Sequence, residues 1–172
     1  GRFGQTVAQM LIASGLEVRL IDTDVEMIDV AGDFGAKVYF GDGTRLDMLR
    51  QAGASEAEVI AFCLDGDQVS QEFLSAVHKA FPRAQIYVRA FDRRSVLRMN
   101  GAPVQGIVRE VLESAVVLAR KALDGLGLSL EEIDKAESDY RARDRERLKL
   151  QHEAGDLHAA RDRIFTQPER KA

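Results

Sequence analysis

Cysteine is nearly absent from this chain, and the single one, Cys63, has no partner for an internal disulfide. It lies inside the apolar run Val59 to Leu64, where a buried structural thiol in a reducing compartment is the natural reading. No run approaches the ~20 consecutive apolar residues that a membrane span needs, and the pattern of a secretory signal is missing. Basic stretches with interleaved aromatics are missing too, and a formal net charge of −4 gives no general attraction to nucleic acid. Histidine is scarce: His78 falls in a helical pattern and His152 and His158 in a charged tail, so a His-based hydride-transfer site is disfavoured. No Cys/His cluster has metal-ligand spacing, and no metal is expected. The chain also lacks an initiating methionine.

What is present is a folding composition. The 172 residues are 45 % hydrophobic, enough for one domain with a substantial core plus an appendage. Gly1-Arg2-Phe3-Gly4 opens a helix whose apolar residues are Val7, Ala8, Met10, Leu11 and Ile12, and Ser14-Gly15 ends it. Leu16 to Ile21 then reads as a short strand ending before Asp22. This is the order of a dinucleotide-binding unit, G-x-G-x-x-G, with Gly1 and Gly4 at its second and third glycines. In such a unit backbone approaches phosphate at a helix N-terminus, and an acidic residue about 20 positions on accepts hydrogen bonds from ribose. Asp22 occupies that place, and Asp24 suits the competing role of N-cap to the next helix. The strand that feeds the turn in a complete unit is missing, so the polypeptide is expected to continue upstream.

The alternation continues with helix Val25 to Phe34, strand Lys37 to Phe40, helix Thr44 to Ala52, strand Val59 to Leu64, helix Gln68 to Ala80 and strand Gln85 to Ala90. Repeated βα units mean a parallel sheet with its ligand crevice at the strand C-terminal ends. The loop Gly41-Asp42-Gly43-Thr44-Arg45 leaves from that edge and offers a carboxylate, backbone amides and a hydroxyl to ribose or adenine; alternatively it is a tight turn with Thr44 capping the next helix.

After Asn100-Gly101-Ala102-Pro103 the rhythm stops, and Val108 to Leu126 reads as one helix with a broad apolar face: Val111, Leu112, Ala115, Val116, Leu118, Ala119, Ala122 and Leu123. Such a face packs either on its own sheet or, as expected here, on a second subunit. Ser129 and Glu132 form a capping-box pattern that starts a highly charged helix running to about Arg163, either solvated or docked on a partner. The expected divisions are 1–100, a nucleotide-binding domain; 101–127, a crossover helix; and 128–172, a charged helical extension.

The stretches Gly1-Arg2-Phe3-Gly4-Gln5, Asp22-Thr23-Asp24, Phe34-Gly35-Ala36-Lys37-Val38, Gly41-Asp42-Gly43-Thr44-Arg45 and Ala52-Gly53-Ala54, in this order and through about Gly127, resemble the cytoplasmic regulatory (RCK/KTN, TrkA-N type) domain of Kef-type potassium efflux systems. The resemblance implies a Rossmann-like α/β fold, a doubly wound parallel sheet whose first strand is missing here. It implies a homodimer that binds AMP or NAD(H) without turnover at Gly1, Arg2, Phe3, Gly4, Asp22, Asp24, Asp42, Gly43 and Thr44. It further implies a covalently linked upstream potassium/proton antiporter, a place on the cytoplasmic face of a bacterial inner membrane and a flavoprotein ancillary subunit. An effector pocket for glutathione-like ligands would be Gln5, Gln9, Phe34, Arg109 and Asp144. Gln9 stands where that pocket carries a second arginine and Asp144 where it carries an asparagine, and both departures disfavour a ligand with two carboxylates. A free-standing Trk-type potassium-uptake subunit and an NAD-dependent oxidoreductase are the alternatives.

Overall fold

The computed structural model describes residues 1–33, 35–65 and 68–155. In chain order the elements are α1 (Arg2–Ala13), β1 (Arg19–Asp22), α2 (Val25–Asp33), β2 (Lys37–Phe40), α3 (Leu46–Gln51), β3 (Val59–Phe62), α4 (Gln71–Ala80), β4 (Gln85–Ala90), α5 (Arg93–Arg98), β5 (Gly106–Arg109), α6 (Glu110–Gly125) and α7 (Leu130–Ala154). Every strand pairing is parallel. The strands form two sheets, β1-β2 and β3-β4-β5, with no hydrogen-bonded ladder between them among the described residues.

Period-two alternation decides which way β3 and β4 face. Ile60, Phe62, Ile86, Val88 and Ala90 point into a core closed by Leu74 and Val77 of α4 and by Phe81. Leu74, Val77 and Ile86 are fully buried, each contributing on the order of 1.5–3 kcal/mol of apolar transfer. Phe62 meets Phe73 edge to face with centroids 5.3 Å apart. On the opposite face Val59, Tyr87 and Val108 remain exposed.

Gly53 lets β1 reach the end of α3. Its φ of +96° is a left-handed conformation, and an added Cβ would lie 1.9 Å from Arg19 Nη1. The absent side chain leaves Arg19 of β1 free to donate Nη1 to the Ala52 carbonyl oxygen at 3.1 Å.

Several boundaries depart from the sequence reading. The first strand is Arg19–Asp22 rather than Leu16 to Ile21, because Gly15 at φ +81° closes α1 and leaves Leu16 exposed. The helices expected at Thr44 and Gln68 begin at Leu46 and at Gln71, the latter capped by Ser70 accepting from the Phe73 amide at 3.1 Å. Val108 and Arg109 do not open a helix: with Gly106 and Ile107 they form β5, in register with Tyr87 to Ala90. Pairing to an existing strand outweighs the helical spacing of Val108, Val111 and Leu112. Between β4 and β5 lies the short helix α5, capped by Asp92 accepting from the Ser95 amide at 3.0 Å.

The last helix begins where the sequence places it. Ser129 accepts from the Glu132 amide at 3.2 Å and Glu132 accepts from the Ser129 amide at 2.8 Å, a complete capping box. α7 lies along α6 through ion pairs from Arg120 to Asp134 (2.8 Å) and Glu137 (3.0 Å) and from Arg141 to Glu113 (2.8 Å), while Arg141 also pairs with Glu137 of its own helix (3.0 Å). No helix among the described residues is long and apolar enough to cross a membrane.

Candidate functional site

Two of the expected loops leave the C-terminal ends of β1 and β2, and the glycine turn at the start of α1 meets the first of them. Asp22, the last residue of β1, accepts from the Gly1 nitrogen through Oδ2 at 2.8 Å and from the Asp24 amide through Oδ1 at 3.0 Å. The glycine turn and the aspartate are therefore adjacent.

The two glycines divide the labour expected of them. An added Cβ on Gly4 would sit 3.2 Å from Cys63 Cβ, so this glycine lets α1 pack closely on the end of β3. Gly1 faces open space apart from Asp65, whose Oδ2 would lie 3.6 Å from its Cβ. The first helical bond of α1 runs from the Gln5 amide to the Gly1 carbonyl at 3.1 Å, so the amides of Arg2, Phe3 and Gly4 have no helical acceptor. Those free amides and the open position at Gly1 fit a phosphate. Arg2 is exposed beside them.

Asp24 serves as cap to α2, its Oδ1 accepting from the Glu26 amide at 3.0 Å. In the third loop Asp42 Oδ1 accepts from the Thr44 hydroxyl at 2.7 Å and from its amide at 2.8 Å. Those two bonds hold Asp42 ionised below its ordinary range. Thr44 thus braces Asp42 and does not cap α3, whose N-cap Arg45 makes no side-chain capping bond. Asp42 stays exposed with Gly43 beside it.

The residues expected in the effector pocket separate into two places. Gln5 and Gln9 line a void of about 10 Å³ with Ala8, Ile12, Leu20, Ala31 and Ala36. That is room for roughly one water, a suitable partner for Gln5 Nε2, which is buried without a hydrogen bond in the structure. Arg109 and Asp144 lie where β5 meets α7. There Asp144, 4 % exposed, receives Arg109 Nη1 at 3.3 Å and forms closer contacts with Arg109 Nη2 and Arg93 Nη2. Arg93 Nη1 also donates to Gln151 Oε1 at 2.9 Å. Burial lowers the Arg93 pKa, helped by repulsion from Arg147 and Arg109 and opposed by Asp144. Asp144 is thus paired with two guanidinium groups inside the fold. Phe34 lies outside the described residues.

Three residues at the crevice escaped the sequence reading. Arg89, on β4, places its guanidinium 4.7 Å from the Phe3 ring centroid and contacts Asp65 and Glu110. A lone arginine between Val88 and Ala90 on an otherwise apolar strand was the available signal. Of the histidines, His78 is exposed on α4, His152 is exposed near the end of α7, and His158 lies outside the described residues.

Residues 1–110 match the TrkA-N domain family. A glutathione-regulated potassium-efflux system protein of Haemophilus influenzae is 38 % identical over 148 residues, covering 86 % of this chain and 24 % of that relative. The glutathione-regulated potassium-efflux system protein KefC of Escherichia coli O139:H28 is 39 % identical over 128 residues, covering 74 % of this chain and 21 % of KefC. The chain thus spans about a quarter or less of the length of these curated relatives. Among solved structures, the Shewanella denitrificans Kef CTD in AMP-bound form superposes with a TM-score of 0.75 at 33 % identity, over 87 % of this chain and 91 % of that one. The TrkA-N domain of the Escherichia coli inner membrane protein ybaL superposes at 0.62 with 20 % identity, covering 73 % of this chain and 90 % of that one, a likeness of fold alone.

Proposed function

The chain belongs to the TrkA-N domain family, and from that premise we propose that it is the nucleotide-sensing regulatory unit of a Kef-type potassium efflux system. The observation that carries the reading is that the amides of Arg2, Phe3 and Gly4 lack helical acceptors at a glycine turn lying beside Asp22, the last residue of β1. Those amides and the helix N-terminus would take the phosphate, Asp22 the ribose hydroxyls, and the Asp42–Thr44 loop the base end. The ligand is AMP or NAD(H), a class supported by the AMP-bound form of the Shewanella denitrificans Kef CTD.

Binding, rather than turnover, is the proposed output. A ligand with unequal affinity for two arrangements of the protein shifts their populations, and a coupling of ~1–3 kcal/mol changes the response some 5- to 150-fold. The efflux relatives are about four times longer than the matched region, which supports a covalently linked antiporter as the element being gated. A homodimer is proposed through α6. None of its described residues is buried, Val111, Val117 and Leu118 are exposed, and the sheet residues Val59, Tyr87 and Val108 are exposed as well.

The test is calorimetric titration of the protein with AMP, NAD+, NADH and glutathione in parallel, with NADH consumption followed against small carbonyl compounds. Nucleotide binding without NADH consumption is expected. Absence of any nucleotide binding refutes the reading, and steady NADH consumption replaces it with the oxidoreductase.

A further inference from the structure

Arg89 touches the glycine turn, the β3 exit and the first residue of α6 together. Its guanidinium stacks on Phe3 at 4.7 Å. Nη1 reaches the Cys63 carbonyl oxygen at 3.4 Å and Asp65 Oδ1. Nε donates to Glu110 Oε2 at 2.8 Å, with Nη2 on the same oxygen. The side chain is only 12 % exposed, so these partners hold it in place. One cation here serves two carboxylates, and Asp65 stands beside Gly1, where the phosphate is expected.

Resting on the nucleotide reading, we propose that Arg89 couples nucleotide occupancy to α6. A phosphate in the glycine turn repels Asp65 and Glu110 and attracts the guanidinium, so the three anions compete for one fork. Glu110 can release its share at low cost. It lies in the first turn of α6, where the positive helix end stabilises a carboxylate without Arg89. The contact therefore has two acceptable arrangements, one with Arg89 on Glu110 and one with Arg89 turned toward the phosphate. Occupancy is in this way reported at the start of the helix whose apolar face is proposed to carry the dimer. Reciprocity requires that whatever fixes the start of α6 also alters nucleotide affinity.

The experiment is AMP titration by calorimetry combined with amide hydrogen exchange in the first turn of α6, on the unaltered chain and on Glu110→Gln, Asp65→Asn and Arg89→Lys. In the unaltered chain AMP is expected to change exchange at residues 110–113 by roughly 5-fold or more. Glu110→Gln should bind AMP and lose that change. Asp65→Asn, at a position 78 % exposed, should bind AMP more tightly because a competitor for Nη1 is gone. Arg89→Lys keeps the charge without the fork and should bind while transmitting weakly. An undiminished α6 response in Glu110→Gln or Arg89→Lys, or unchanged affinity in Asp65→Asn, overturns the coupling with AMP binding left standing. An unaltered chain that does not bind AMP overturns the nucleotide reading and the coupling with it.

Discussion

Neutralising Asp144 is expected to cost the protein about 3 kcal/mol, because two arginines lose the carboxylate that compensates their burial. Removing one partner of a buried pair typically costs 3–5 kcal/mol. Two features place Asp144→Asn near the lower end. Arg93 and Arg109 retain 15 % and 11 % exposure, and Arg93 keeps Gln151 as an acceptor at 2.9 Å. Asparagine fills the same volume and still accepts one hydrogen bond, so the loss is chiefly of charge. A domain with ~5–15 kcal/mol of stability would survive, but its unfolded fraction would rise about 100-fold. Equilibrium urea unfolding followed by far-ultraviolet circular dichroism reads this directly, with comparable slopes confirming a comparable transition. The double variant Asp144→Asn, Arg109→Met separates pairing from packing: if the charge imbalance is the cause, the second change recovers part of the loss. A single-variant loss below about 0.5 kcal/mol would refute the reasoning and show the cluster to be as weak as an exposed pair.

Asp22→Ala should weaken AMP binding by ~1.5–3 kcal/mol, read by calorimetry, because a charged acceptor is lost; equal affinity removes Asp22 from the ribose role. Gly53→Ala should lower urea stability by about 2–3 kcal/mol, combining left-handed strain with displacement of Arg19 from the Ala52 carbonyl, and a neutral result would mean that Arg19 moves freely. Leu118→Glu, at a site 70 % exposed, should abolish dimers in sedimentation while leaving the urea midpoint nearly unchanged; a surviving dimer moves the interface elsewhere. Acid should destabilise the fold. Glu113 is held below its ordinary 4.5 by hydrogen bonds from Arg141, and Asp92 below 3.8 by the Ser95 amide. Carboxyls depressed in the folded state add stability that is intact above the unfolded values and lost as pH falls through the folded ones. The urea midpoint should therefore be level above pH 4.5 and fall progressively below 3.8, and a midpoint unchanged at pH 3 would contradict this.

How much of this was legible in the sequence depended on whether the deciding physics was local. Lys37–Phe40 and Gln85–Ala90 appear with the boundaries read from alternation and breakers, and Ser129 with Glu132 was readable because a capping box closes within four residues. β5 was not readable. Its four residues become a strand only because β4 offers an open edge, and their spacing suits a helix equally well. The glycine turn and Asp22 were legible as a pattern, and their juxtaposition needed only the turn and one strand. Arg89, Arg93 and Asp144 act through partners 21 to 58 residues away, a distance at which no single-sequence periodicity speaks. Asp24 and Thr44 were each weighed as caps; the first takes that role and the second spends its hydroxyl on Asp42.

The long helix α7 is seated by charge more than by grease, and this makes its seat a ruler. Ile133 and Gln151 are buried toward its ends, while Glu137, Arg141 and Asp144 between them each meet a particular partner. Slipping α7 by four residues, about 6 Å, would bring Tyr140 or Leu148 to the place of Asp144. Slipping it by three would bring Arg141 or Arg147 there, cation against cation. An aliphatic seam would tolerate either shift at modest cost, since one methyl group resembles another. This seam admits one alignment, so any force on α7 either leaves it in place or frees it outright, with no stable halfway position.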